Sequence, residues 1–296
     1  MSTRKGIIDL IQNTTLVLIL SVLFGLVLPG PAVATEAWVT PALMVMMAFS
    51  LTEFNLCGNI KSAGDLKRSF LGLFLNYGLL SGLILLLSHG LEDDAIRQGF
   101  IIMAAVPPAV AVLPMTRILK GDMRLSFSGE ILSYLASLLL MPLIIYLFFR
   151  QSGISPLYLL QISIVLILIP ALASRLVRLL PVNPLLPINL GFFLVTYTVI
   201  GLNQGVLWSD GGSVVWISFA RTFAVGLAVY VLARSAGLDK EHSISFTLLG
   251  SFKNLGLAAA VSLLLFGPAA GLPAAFCVIA ETAFFIFLSF ARSRYP

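Results

Sequence analysis

Charged side chains are the scarcest class in this sequence: Asp, Glu, Lys and Arg together make up 10% of its 296 residues, where a soluble domain carries about 25%. A chain so short of charge cannot cover a water-facing surface. The hydrophobic residues, 59% of the total, recur in runs of about 20 along almost the whole length, enough for each run to cross a bilayer. Nothing is left over for a separate aqueous domain, so the sequence reads as one all-α integral membrane protein. Cysteine is nearly absent. Cys57 and Cys277 form no CxxC and no Cys/His cluster, which excludes a disulfide framework and a metal site of that kind. Histidine is as rare, and His242 stands alone near a span end, where it reads as a surface group rather than a base. HExxH, GxSxG and a Walker loop are missing, and LNQGVLWSDGGS at 202–213 reads as a glycine-containing loop without the strand context that phosphate binding requires. No catalytic residue and no cofactor are therefore expected. The net charge of +5 is scattered over segment ends rather than gathered in a patch, so no nucleic-acid partner is expected either.

What the sequence does contain is a set of ten spans, read from hydropathy and from Gly, Pro and charge punctuation. They cover roughly 8–29, 37–56, 68–89, 95–118, 124–149, 155–178, 184–206, 213–235, 242–265 and 270–291. Lysine and arginine concentrate in the cytoplasmic loops of membrane proteins. Of the 18 here, 14 fall on one side of the ten-span layout: Arg4, Lys5, Lys61, Lys67, Arg68, Arg117, Lys120, Arg124, Arg175, Arg178, Arg234, Lys240, Arg292 and Arg294. Arg97 and Arg150 fall on the other side, and Arg221 and Lys253 lie inside spans. This places both termini in the cytoplasm of a multi-pass protein of the inner (plasma) membrane. The start of the chain resembles a signal peptide with an AxA-like site, but the alternation works with that segment retained as a helix.

Ten spans divide into two sets of five, and an odd number forces the sets to insert with opposite topology, as in transporters built from inverted repeats. The disturbed spans agree with this division. Span four is expected to be broken by Pro107, Pro108 and Pro114, and span nine contains Gly250, Lys253, Asn254 and Gly256; Pro107 and Asn254 are 147 positions apart, about half the chain. Proline removes an amide donor and clashes with the preceding turn, so span four is expected as two half-helices. Backbone freed at membrane depth is tolerated where it is buried in protein or lines a cavity.

Ionisable residues at that depth are costly and usually face the bundle interior. Glu130, Lys253 and Glu281 qualify. Ser126, Glu130, Ser133 and Ser137 follow one another at steps of four, three and four, so they share one helix face that must look inward. Lys253 needs a partner, and Glu130 and Glu281, 151 positions apart, are the two candidates. Arg221 can snorkel toward an interface, and Glu53 lies near a span end. Asn76, Thr196, Thr198, Asn203 and Gln204 offer uncharged groups, with helix packing as their ordinary role and Asn76, Thr198 and Asn203 as possible substrate-lining positions.

The stretches GFIIMAAVPPAVAVLPMTRILKGD, residues 99–122, and FKNLGLAAAV, residues 252–261, resemble the fourth-helix and ninth-helix segments of the bile acid:sodium symporter family. The chain is identified as a bacterial homologue of the apical bile acid transporter fold. The resemblance implies a panel domain of helices 1, 2, 6 and 7 (1–60 and 151–207) and a core domain of helices 3–5 and 8–10 (61–150 and 208–296). Broken helices 4 and 9 would cross at the substrate and ion region, with Pro107, Pro108, Val112, Leu113, Glu130, Lys253, Asn254 and Glu281 around it. Sodium-coupled members carry Ser-Asn where this chain has Val112-Leu113, threonine at Glu130, glutamate at Leu249 and glutamine at Lys253. Most side-chain oxygen ligands for sodium are therefore replaced. Pro107-Pro108 in a broken fourth helix also resembles auxin efflux carrier-type transporters, which can work without sodium.

The expectation is a secondary transporter of a small or amphipathic organic anion in the lipid bilayer, sodium-independent, proton-linked or uncoupled, with a Glu130/Lys253 pair in place of the sodium sites. A cationic substrate neutralised by Glu130 or Glu281, a sodium-coupled bile acid-type symporter and a non-transporting membrane sensor stand as alternatives.

Overall fold

The computed structural model describes residues 11–53, 63–150 and 153–294. Arg4, Lys5, Cys57, Lys61 and the side chain of Glu53 lie outside what it describes. Among the described residues all regular structure is helical. We number the main helices α1 Thr14–Val27, α2 Val39–Ser50, α3 Ala63–Phe74, α4 Ser81–Ser88, α5 Asp94–Ala105, α6 Val112–Ile118 and α7 Met123–Phe149. The second half holds α8 Pro156–Ser163, α9 Ile169–Val177, α10 Leu185–Leu202, α11 Gln204–Ser235, α12 Lys240–Ser251, α13 Leu255–Phe266 and α14 Leu272–Arg294.

Eight helical stretches among the described residues are long and apolar enough to cross a membrane: Ala32–Ser50, Gly64–Ser88, Met123–Phe149, Pro156–Val177, Leu185–Leu202, Gly212–Ser235, Lys240–Phe266 and Pro268–Ala291. The chain is a multi-pass membrane protein. Two of the ten spans read from the sequence fall short as single helices: α1 has 14 described residues, and span four is split into α5 and α6.

Local chemistry explains where the helices begin and stop. Asn13, Asp93, Asp122, Asp239 and Asn254 each accept a hydrogen bond from the amide three residues on, capping α1, α5, α7, α12 and α13. α5 ends at Val106, which is extended (φ −78°, ψ 157°) because the ring of Pro107 disfavours a helical residue before it. Pro114 does not break span four as the sequence reading has it. It lies in the first turn of α6, where the missing N–H has no helical acceptor to lose. The loop expected at 202–213 is also corrected: α10 stops at Leu202, Asn203 alone makes the turn (φ −123°, ψ 23°), and Gln204–Ser213 already belong to α11. Glycine weakens a helix by roughly 0.5–1 kcal/mol relative to alanine, which is too little to end one that continues for 32 residues.

α10 packs on α1 and α2, and α2 also packs on α9. α3 lies on α7, α4 on α5, and α11 on α12 and α14, while α5 meets α7, α13 and α14. The stretch Lys240–Phe266 is 83% buried across its membrane window, against 28–44% for the others, so it forms the centre around which the rest are arranged. One close approach sets the geometry there. A Cβ on Gly99 of α5 would lie 2.1 Å from the Ala270 carbonyl oxygen, so the two backbones touch directly.

Candidate functional site

Two helix breaks meet at the centre. α12 ends with Phe252 extended (φ −109°, ψ 136°), and α13 restarts at Leu255 behind its Asn254 cap. The amide of Asn254 donates to the Pro107 carbonyl at 2.8 Å, tying the break in span nine to the break in span four. The Lys253 amide donates to Glu281 Oε1 at 2.9 Å. Breaking a helix frees amide and carbonyl groups that cannot stay bare at this depth, and here the Asn254 amide and the Pro107 carbonyl answer each other while the Lys253 amide is answered from α14.

Lys253 is fully buried. Its ammonium donates to Asn76 Oδ1 at 2.7 Å, Ser81 Oγ at 2.9 Å, the Val106 carbonyl at 2.9 Å and the Ala104 carbonyl at 3.2 Å. It also lies 4.5 Å from the centre of the Tyr77 ring, a distance at which the ring face attracts a cation. Ala104 and Val106 close the C-terminal end of α5, where the helix dipole is negative and a cation is favoured. The lysine is thus answered by neutral oxygens and a dipole end. Neither pairing expected from the sequence forms within ion-pair distance: Lys253 has no salt bridge with Glu130 or Glu281 among the described residues.

Glu281 instead pairs with Arg221, Nη2 to Oε1 at 2.8 Å. Arg221 is fully buried and does not snorkel. The signal that could have found it was available: Arg221 and Glu281 are both ionisable residues well inside apolar spans, and a charge that cannot reach an interface must have a partner. Ser81 and Tyr77, which also hold Lys253, carry no comparable mark in the sequence.

Asn76 lies in the π-helical turn Leu75–Leu80 between α3 and α4, a local widening that often marks functional positions. Its amide nitrogen donates to the carbonyls of Leu249 (2.8 Å) and Phe252 (3.1 Å), while its oxygen accepts a hydrogen bond from the lysine ammonium. Asn254 Nδ2 reaches Tyr134 Oη at 2.8 Å and Met47 Sδ at 3.1 Å, so this side chain links the break to α7 and to α2.

Glu130 is fully buried, as are Ser126, Ser133 and Ser137, in agreement with an inward stripe. Val112 and Leu113 are buried in the first turn of α6. Pro108 lies in the break beside Pro107. Thr198 and Asn203 stand apart from the crossing: Thr198 bonds the Leu194 carbonyl and Thr35, and Asn203 bonds the carbonyls of Val199 and Pro268. A small apolar crevice lies between α10 and the α13/α14 side, lined by Phe192, Val195, Thr196, Gly256, Ala259 and Val278 among others.

Away from the crossing, His242 is not the lone surface group expected. Its ring lies 2.8 Å from Asp239 and 3.3 Å from Asp122, the caps of α12 and α7. The His242 amide and ring together hold the Asp239 carboxyl below its ordinary value.

The family model for the Sodium Bile acid symporter family matches residues 39–202, more than half of the chain. The chain belongs to that family. Its members are transporters rather than enzymes. No curated protein matches the sequence. The matched stretch contains the α5/α6 break, Asn76 and Glu130; Arg221, Lys253, Asn254 and Glu281 lie beyond it.

Proposed function

We propose that this member of the family is a secondary transporter that moves a small or amphipathic organic anion by alternating access without sodium, in a proton-linked or uncoupled cycle. In this reading α1 and the α5/α6 pair complete ten crossings in two inverted sets of five, with both termini cytoplasmic as the lysine and arginine alternation requires. Residues 1–60 and 151–207 make a panel, and residues 61–150 and 208–296 make a core. The packing of α10 on α1 and α2, and of α2 on α9, supports the panel, while the packing of α5 on α7, α13 and α14 supports the core.

The single observation that carries the reading is the placement of the Lys253 ammonium on the Ala104 and Val106 carbonyls. In transporters with broken helices, unwound carbonyls and half-helix C-termini coordinate the coupling cations. Here such a position is filled by a cation that is covalently part of the chain and so cannot be transported. Hard cations need oxygen ligands, and Val112, Leu113 and Leu249 offer no side-chain oxygen where the resemblance puts sodium ligands. Glu130, buried on α7, remains a carboxyl that can carry a proton. The Lys253 donors are engaged within the protein, so in this reading the substrate is held chiefly through its hydrocarbon body.

The test is uptake of labelled cholate, as a bile-acid-type probe, into proteoliposomes under sodium, choline and pH gradients. Uptake indifferent to sodium is expected. Uptake that requires sodium and ignores the pH gradient overturns the reading in favour of sodium symport. Saturable binding without flux overturns it in favour of a membrane sensor.

A further inference from the structure

Arg221 lies on α11 within the membrane-crossing stretch Gly212–Ser235 and is fully buried. Its guanidinium makes two directed contacts. Nη2 donates to Glu281 Oε1 at 2.8 Å, and Nη1 makes a long contact of 3.4 Å to the carbonyl of Ser251, the last residue of α12. The same Glu281 oxygen accepts the Lys253 amide. A continuous chain therefore runs from the α11 guanidinium through the α14 carboxylate to the peptide that bears the caged lysine.

We infer that Arg221 is the positioning residue of the crossover: acting through Glu281, it holds the broken segment of span nine so that the Lys253 ammonium meets the end of α5. A buried ion pair that only fastened α11 to α14 would gain little over an apolar contact of the same size and would need no third partner. Here the shared oxygen is directed at the one amide whose residue carries the ammonium. The arrangement also has a counterpart in the other break. Arg221 faces the C-terminal end of α12 as Lys253 faces that of α5, and a cation is favoured at either end. Cys277, one turn before Glu281, donates its thiol proton to Ser218, one turn before Arg221, at 3.1 Å. Both groups are buried, which keeps the pair dry.

The inference rests on the proposed function only in treating Lys253 as the fixed cation, and its test needs no substrate. Backbone hydrogen exchange is measured on the full chain in detergent for the wild type, Arg221→Lys, Arg221→Gln, Glu281→Gln and the double Arg221→Gln/Glu281→Gln. Exchange of a peptide covering residues 248–256 is expected to accelerate by about tenfold or more in each Gln single variant, the scale of one lost charge-assisted hydrogen bond. The double variant is expected to be no worse than the worse single, because both act on one chain of contacts. Arg221→Lys is expected to keep much of the protection, and peptides from α10 are expected to be unchanged in all variants. Unchanged exchange at 248–256 in Arg221→Gln, or losses that multiply in the double, would overturn the inference. If Arg221→Gln also loses protection in α10, Glu281→Gln and Arg221→Lys decide between local positioning and general folding.

Cholate uptake gives the second readout. A positioning residue lowers the maximal rate with KM little changed and is partly rescued by Arg221→Lys; a raised KM at unchanged maximal rate would count against it. A wild type that does not move cholate overturns the substrate reading while leaving the exchange result to decide the role of Arg221.

Discussion

Replacing Lys253 by methionine keeps most of the stem and removes every donor. Ala104 and Ser81 retain each other through the Ser81 hydroxyl, but Asn76 Oδ1 and the Val106 carbonyl lose the proton that the ammonium supplies. Two buried acceptors left bare cost roughly 1–3 kcal/mol each. Against this stands the several kcal/mol recovered when an ammonium no longer has to be desolvated. The ammonium shares three protons among its four acceptors, so the cage offsets that desolvation through about three charge-assisted bonds, about 1.5–3 kcal/mol apiece, and through the dipole end of α5, which adds up to about 2 kcal/mol in a buried setting. With the cage bonds and the desolvation roughly offsetting each other, the two bare acceptors decide, and Lys253→Met is expected to be less stable by about 2 kcal/mol or more. That corresponds to roughly 4–8 °C in melting temperature for a chain of this order of size. Lys253→Ala empties the cage as well. A monovalent cation entering it at ten times its dissociation constant restores about 1.4 kcal/mol. The assay is tryptophan-fluorescence melting of detergent-solubilised protein in sodium, potassium, methylammonium and choline chlorides at equal ionic strength. Lys253→Ala should be stabilised by the small cations over choline, and the wild type should not. A Lys253→Met variant at least as stable as the wild type refutes the reasoning about the cage, as does a wild type that sodium alone stabilises strongly.

Asn254→Ala removes the cap of α13 and the bond to Tyr134; a loss of about 1 kcal/mol for the cap is expected in the same melting assay. Gly99→Ala puts a Cβ 2.1 Å from the Ala270 carbonyl oxygen, a backbone contact that no rotamer can relieve, and is expected to cost about 1–3 kcal/mol or more; a melting temperature equal to wild type would contradict the close approach of α5 to the turn before α14. Asp239, held low by the His242 amide and ring, contributes stability that is fully present above the unfolded carboxyl range and is lost as pH falls through the lower folded value. Asp239→Ala should therefore be less stable than wild type near neutrality and converge on it in acid; a gap that widens on acidification would show that the sign is wrong.

The breaks were legible because their causes are local. Pro107-Pro108 forces Val106 out of the helix, and Asn254 is a good cap placed beside an interruption. Burial of the Ser126–Glu130–Ser133–Ser137 stripe also followed from spacing alone. Pro114 and the 202–213 stretch misled for the converse reason. A helix-breaking residue type acts according to its position in a turn, and that position depends on where the neighbouring helix starts.

The partners of the buried charges were not legible. From composition, Lys253 and two glutamates suggest an ion pair, since opposite charges at membrane depth attract. The fold answers Lys253 with Asn76, Ser81 and two carbonyls, and answers Glu281 with Arg221. All-helical character, the positions of the helix breaks and membrane residence were determined by the sequence itself, because hydropathy, proline geometry and capping act within a few residues. Which oxygen meets which cation was decided only by tertiary structure, because Asn76, Val106, Arg221, Lys253 and Glu281 come from different spans and meet only when the two breaks pack together.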